Sequence, residues 1–442
     1  MTLKATLAGI TIFVIAAAAS VYPEAVTKLY LPQGGSNCRD GSRLLVYGFE
    51  FMNRITAVDV SPAAATVFAN ADQSEVWVFS PCDTHVDIIN TVTDRLKRRI
   101  DVGLIASDAA FSADGKYCFM TGHTGDYHTT ESNIIVVDCE TYDVTDTIEA
   151  ARDPVSVVVT SDAKYLYYPS RSGGSVGKIA IPEFEEIAII PVGFEPVDLA
   201  LTADGNYLFV ACRGLDSGTR GGTQVSVIDA RTDQLCWIFN DLGGSPISLT
   251  ITPGSAAMII CFADPLPETG ENVVLFDLDI SADLISLARR TGWSLGRSPT
   301  AGFIAPGGDY WFGCDPEGGG LIGIDLTADT AVHLLSGTDK QYPAQVAAVT
   351  IDIDESLAIL EAEIAAATDS TTLPNSYLDI AYLLQMVGRE NDMVAACQRI
   401  VDDFPTSFAA VTAQLRLADI CYKDRLFSQC ANYTRTALHQ YR

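Results

Sequence analysis

From residue 29 onward, apolar and polar positions keep one rhythm. Short runs of β-branched, aromatic and aliphatic residues alternate with Asp, Gly, Asn, Pro and Ser, the pattern of strands joined by tight turns. One punctuation mark recurs: a small or polar residue ends a run, a turn follows, and an apolar run resumes. It occurs at Asn70-Ala71-Asp72, Ser112-Ala113-Asp114-Gly115, Ser161-Asp162, Thr202-Ala203-Asp204-Gly205, Thr252-Pro253-Gly254, Ala305-Pro306-Gly307-Gly308 and Thr350-Ile351-Asp352. Successive marks lie 42, 49, 41, 50, 53 and 45 residues apart. A proline precedes most of them by six to eight residues, at Pro62, Pro154, Pro196, Pro246, Pro299 and Pro343. The second copy lacks it and has Ile105 near that slot.

Each copy holds four strand-like runs. In one they read VDLALT (197–202), YLFVAC (207–212), QVSVIDA (224–230) and QLCWIF (234–239). Four antiparallel strands in a unit of about 40–50 residues make a β-propeller blade. Six copies are complete, and a seventh opens with VAAVTID (346–352) and stops. Its missing strands stand at the other end of the chain, as LYLPQGG (29–35), RLLVYGFE (43–50) and RITAVDV (54–60). The expected fold is therefore mainly β: a seven-bladed β-propeller over 27–352, closed by N- and C-terminal strands sharing one blade. Such closure leaves no open edge in the ring.

From Asp354 the apolar period lengthens to about 3.6, the period of a helix. Helical runs are expected at 355–367, 376–387, 392–404, 408–422 and 426–441, which makes 353–442 a module of helical hairpins.

Two resemblances follow from these residues. Tyr207-Leu208-Phe209-Val210-Ala211-Cys212, Val225-Ser226-Val227-Ile228-Asp229 and Ile190-Pro191-Val192-Gly193-Phe194-Glu195-Pro196 resemble the YVTN-type repeats of seven-bladed surface-layer and secreted propellers. The copy Tyr310-Trp311-Phe312-Gly313-Cys314-Asp315 departs from that signature, and no catalytic residue carries over. The stretch AACQRIVDDFPTSFAAVTAQLRLAD resembles tetratricopeptide repeats, although the Trp and Gly of the first helix are missing. That resemblance implies a surface that grips a peptide, a neighbouring domain or a second copy.

The N-terminal run ATLAGITIFVIAAAA (5–19), after Lys4 and before Ser20, has the form of a secretory signal peptide. Residues 1–20 are expected to be that leader, or a retained hydrophobic segment and the chain's only membrane contact. The protein is accordingly expected outside the cytoplasm, as a secreted, periplasmic or cell-surface protein. Composition agrees with a folded chain: 48% of residues are hydrophobic and 19% charged. A net charge of -28 excludes nucleic acid as a partner, because phosphate binding needs clustered Lys and Arg. The last helix is locally basic through Lys423, Arg425, Arg435 and Arg442.

The 11 cysteines show no dense framework. Cys118, Cys212, Cys261 and Cys314 lie in apolar runs and read as buried thiols, while Cys421 and Cys430 are close enough in sequence to pair. No C-x-x-C-H occurs, which excludes c-type haem attachment. One loop, GHTGDYHTTES (122–132), gathers His123, Asp126, His128 and Glu131. Imidazole and carboxylate at that density are donors for a divalent metal; no other cofactor is expected. The inner strands VDLALT, SLTIT and TAGFIA read as mostly apolar, which argues against a catalytic channel.

Together these features lead us to expect a non-enzymatic protein–protein interaction scaffold. Copies of the chain would meet through the C-terminal helices, assembling into a cell-surface layer or extracellular filament. The alternative is a propeller enzyme or cofactor-binding periplasmic protein of lactonase-like or redox-carrier-like type.

Overall fold

The computed structural model describes residues 25–442 except 34–37, 39–40, 50–52, 124–132, 152, 215–222, 241, 282–283, 296–301, 306–307, 316–319, 336–346, 368–372, 424 and 442; it also describes 6–7 and 10–11. Six of the recurring marks fold alike. An N–H three residues on bonds back to the carbonyl that ends the inner strand: Gln73 to Asn70, Gly115 to Ser112, Ala163 to Thr160, Gly205 to Thr202, Ser255 to Thr252 and Gly308 to Ala305. All six donor residues have positive φ, from 53° to 80°. Glycine meets that conformation without strain at Gly115, Gly205 and Gly308. A Ser or Thr at the strand end adds a hydroxyl cap: Thr202 donates to Asp204 at 2.6 Å and accepts from the Tyr207 amide at 3.1 Å. The mark is thus a self-contained turn, which is why it repeats in the sequence.

Seven four-stranded sheets result, as the sequence predicts. Blade 1 joins the chain ends: Ala347–Asp352 is innermost, followed by Ala25–Gln33, Ser42–Gly48 and Asn53–Val60. Thr27 and Thr350 meet through their hydroxyls at 3.1 Å. Blades 2 to 7 follow in chain order over 66–101, 105–149, 158–191, 196–240, 246–293 and 303–335. Middle strands such as Tyr207–Cys212 and Gln224–Asp229 are buried along nearly their whole length. Both of their faces pack on neighbouring blades, so their sequences are apolar runs rather than alternations. Outer strands such as Glu185–Pro191 are mostly exposed. All seven blades carry a β-bulge between the third and fourth strands, which increases local twist.

Two kinds of contact hold blade to blade. The first is apolar: Phe209, Met258 and Phe262 fill the layer between blades 5 and 6, and Trp77, Cys118 and Met120 that between 2 and 3. Burying each large side chain contributes roughly 1.5–3 kcal/mol. The second is a recurring lock. The residue with positive φ in the turn between third and fourth strands (Asp94, Tyr142, Phe184, Asp233 or Asp329) is held by the preceding blade. Lys28 donates to Asp94 at 2.8 Å, Lys97 to the Tyr142 hydroxyl at 2.7 Å, and Lys178 to Asp233 at 2.7 Å. Phe184 packs edge-on against Tyr117, and Arg290 stands 3.6 Å from Asp329.

The cysteines need correcting in one respect and confirm another. Cys38 and Cys82 form a disulfide between the loops of blades 1 and 2, which sequence spacing did not indicate. Cys421 and Cys430 form no disulfide with each other, and the Cys421 thiol instead donates to Gln429 Oε1 at 3.7 Å. Cys118, Cys212, Cys261 and Cys314 are buried thiols outside any disulfide, as expected.

The chain divides into two compact units. Thr27–Ile351 is the propeller; Met1–Val26 with Asp352–Arg442 forms the other. Of residues 1–20, only Thr6–Leu7 and Ile10–Thr11 are described, paired as a small antiparallel ladder. Among the described residues no helix is long and apolar enough to cross a membrane. Five helices follow the propeller: α1 (Ile353–Ala366), α2 (Leu373–Met386), α3 (Glu390–Asp403), α4 (Phe408–Lys423) and α5 (Phe427–Tyr441). Asp352, part of the seventh mark, caps α1 by accepting from the Glu355 amide at 2.8 Å. Gly388, at φ 73°, ends α2 with the main-chain bonds of a glycine C-cap. The helices share a core of Tyr377, Leu384, Met393, Ile400 and Leu417, with Ala381, Ala410 and Ala413 as small packing residues.

Candidate functional site

The inner strands are not uniformly apolar. Asp108, Ser156, Asp198 and Ser248 each precede their blade's turn residue (Ser112, Thr160, Thr202 and Thr252) by four positions. Bulges follow Ala106, Pro196 and Pro246 and set the register around three of these residues. The result is a polar arc through blades 3 to 6. Asp108 Oδ2 accepts from the Val157 amide of the next blade at 2.9 Å. Asp198 Oδ2 accepts from the Leu249 amide of its next blade at 2.8 Å, and Oδ1 accepts from Leu199 at 2.9 Å. The Ser156 hydroxyl stands between the two acids, 3.3 Å from Asp198 Oδ1, and also hydrogen-bonds Asp108.

Burial dominates the acid–base behaviour of this pair. It pushes the Asp108 carboxyl up to about 7, aided by the charge of Asp198 and opposed by Ser156 and two amides. The Asp198 carboxyl rises less, to about 6, because two amides and the hydroxyls of Ser248 and Ser156 stabilise its charged form. Near neutral pH the arc can therefore hold a proton beside Ser156. Both acids are also staples, since each accepts the amide that follows the polar position in the next blade.

Inner-strand residues of blades 1, 2, 3 and 7 line an open pocket of ≈ 320 Å³. Phe68, Phe111 and Phe303 supply rings, and Ala69, Ala109 and Ala347 supply the space. Sequence reading found the apolar character of these strands and overlooked the polar arc. The signal was present in the fixed offset from the turn mark.

Of the proposed metal donors, His123 ends the strand Tyr117–His123, opposite Ile105. Asp126, His128 and Glu131 lie outside the described residues. Among the described residues, no group of three or more His, Cys, Asp or Glu is arranged to hold a metal ion.

The helical unit offers a different kind of site. On α4, Phe408, Leu415 and Tyr422 recur every seven residues and are 74%, 49% and 63% exposed. A period of seven keeps them on one stripe of the helix. Beside the α2–α3 turn, a second cavity of ≈ 260 Å³ is lined by Met393, Arg416, Ile420 and Lys423, among others. The Arg416 guanidinium lies over the Tyr382 ring at 4.2 Å from its centroid.

No known family profile matches this chain, and no curated protein matches it. Solved structures do match its fold. A functionally unknown protein from Desulfotomaculum acetoxidans DSM 771 is similar at 12% identity and TM-score 0.59, covering 73% of this chain and 98% of that one. A 6-phosphogluconolactonase candidate from Bacteroides uniformis ATCC 8492 is similar at 14% identity and TM-score 0.54, over 74% of this chain and 100% of that one. The β-propeller domain of Myceliophteria thermophila Cps50 (Swd1) is similar at 16% identity and TM-score 0.53, over 64% of this chain and 89% of that one. At these identities the likeness shows the propeller fold and nothing about activity.

Proposed function

We propose that this chain is a non-enzymatic protein-interaction scaffold working outside the cytoplasm. The propeller is its rigid body, and the tetratricopeptide-like helices are its adaptor, through which copies assemble into a surface layer or filament. The apolar stripe on α4 carries this reading. Three large apolar side chains that exposed mark a contact surface more often than a solvated one. The Cys38–Cys82 disulfide supports an oxidising location. One observation favours a second reading, a propeller enzyme or cofactor-binding protein: the Asp108–Ser156–Asp198 arc within the ring.

Crosslinking and mass spectrometry on intact source cells, with fractionation, test the first reading. Crosslinks from the helical unit to other chains in the extracytoplasmic fraction are expected. A cytoplasmic location, or crosslinks confined within single chains, overturns it. The second reading predicts a bound chromophore in the native spectrum or lactone hydrolysis that Asp108→Asn abolishes.

A further inference from the structure

We infer that the pocket beside the α2–α3 turn binds a zwitterion: a free α-amino acid with an apolar side chain. Such a site stands apart from the scaffold reading and does not need it. Two acids and two bases line the pocket, Glu390 and Asp419 with Arg416 and Lys423. Asp419 and Lys423 neutralise each other, 3.0 Å apart and one turn along α4. One anion and one cation are left over. Among the described residues, neither the Glu390 carboxylate nor the Arg416 guanidinium has an ion pair or a side-chain hydrogen bond.

Arg416 is prepared for a planar anion. Its guanidinium lies over the Tyr382 ring, 4.2 Å from the centroid. Stacking occupies a face of the group, whereas its N–H donors lie in its plane. The fork therefore stays available for the two oxygens of a carboxylate. Asp419, three residues on, does not take it, because Lys423 holds that acid. Glu390, the first residue of α3, offers an acceptor for an ammonium. Its place also complements the α3 dipole, but that does not account for an unpaired guanidinium on the same pocket. Buried Met393 and half-buried Ile420 give the pocket an apolar wall. A plain carboxylic acid would leave Glu390 unpaired, and a plain amine would leave Arg416 so. An α-amino acid supplies both charges and lays its side chain on Met393 and Ile420. A volume of ≈ 260 Å³ is small for a ligand pocket and suits one such molecule rather than a peptide.

Titration calorimetry on the full chain tests the site, with L-leucine and L-methionine as probes. Both are expected to bind. Isocaproate, which is leucine without its ammonium, and isoamylamine, which is leucine without its carboxylate, should each bind at least about tenfold more weakly. Arg416→Gln and Glu390→Gln should each weaken leucine by a similar factor, and Glu390→Gln should lose the discrimination against isocaproate. Arg416→Lys keeps the charge without the fork. It should unfold at the parent's thermal midpoint and still bind leucine more weakly, which separates recognition from folding. Failure of both amino acids to bind overturns the site. Isocaproate or isoamylamine binding as tightly as leucine overturns the zwitterion. Leucine binding that none of the three variants changes overturns the pocket.

Discussion

Lys28 of blade 1 buries its ammonium against Asp94 of blade 2, with Nζ 2.8 Å from Oδ2 and the two side chains 1% and 8% exposed. The same ammonium donates to the Thr91 carbonyl at 2.7 Å. The Tyr30 hydroxyl donates to the other Asp94 oxygen at 2.6 Å, and burial with that charge holds its phenol well above the ordinary range. A pair taken this far out of water is favourable only while both members remain. Asp94→Ala should cost about 3–5 kcal/mol, because it strands a buried ammonium. The double variant Lys28→Met/Asp94→Ala should recover part of that loss. Urea unfolding of parent, both single variants and the double variant measures the coupling; losses that simply add would show there is none.

The polar arc predicts a specific pH dependence. The folded chain keeps a proton on Asp108 up to about 7, whereas the unfolded chain releases it near the ordinary carboxyl value of about 4. The resulting stability is fully present below the unfolded value and is lost as pH rises through the folded one. Asp198 contributes in the same sense up to about 6. Asp108→Asn keeps an acceptor for the Val157 amide and never ionises. Relative to parent, it should be near neutral at pH 4.5 and more stable at pH 8 by on the order of 1–3 kcal/mol. A stability difference from parent that does not change with pH would refute the assignment.

The disulfide should stabilise the ring by limiting the unfolded chain. Cys38 and Cys82 are 44 residues apart, a separation for which a crosslink contributes about 2–4 kcal/mol. Dithiothreitol should lower the urea midpoint of the parent. The Cys38→Ser/Cys82→Ser variant should already have that lower midpoint and be indifferent to the reductant.

Gly177 is fixed by a close approach. A Cβ there would fall within the Tyr168 ring, whose hydroxyl donates to Glu186 and accepts from the Ala151 amide at 2.6 Å. Gly177→Ala should cost about 1–3 kcal/mol through overpacking. Gly177→Ala/Tyr168→Leu should cost less than the two single changes added together, as thermal unfolding can show.

The punctuation of this sequence determined the blade count, the shared blade and the switch to helices. Those features are local: a Thr-Ala-Asp-Gly turn such as 202–205 closes on its own hydrogen bonds, and a strand covered on both faces must be apolar throughout. Only the tertiary structure decided what lies between blades. Cys38 meets Cys82 because consecutive blades 1 and 2 pack with these loops side by side, and Lys28 finds Asp94 across the same blade boundary. Asp108 and Asp198 read as single acids in apolar strands; the ring turns them into staples with shifted proton affinity. The seven-residue spacing on α4 was likewise written in the sequence, but its exposure was not. Period fixes which residues share a face, and only packing decides which face is left exposed.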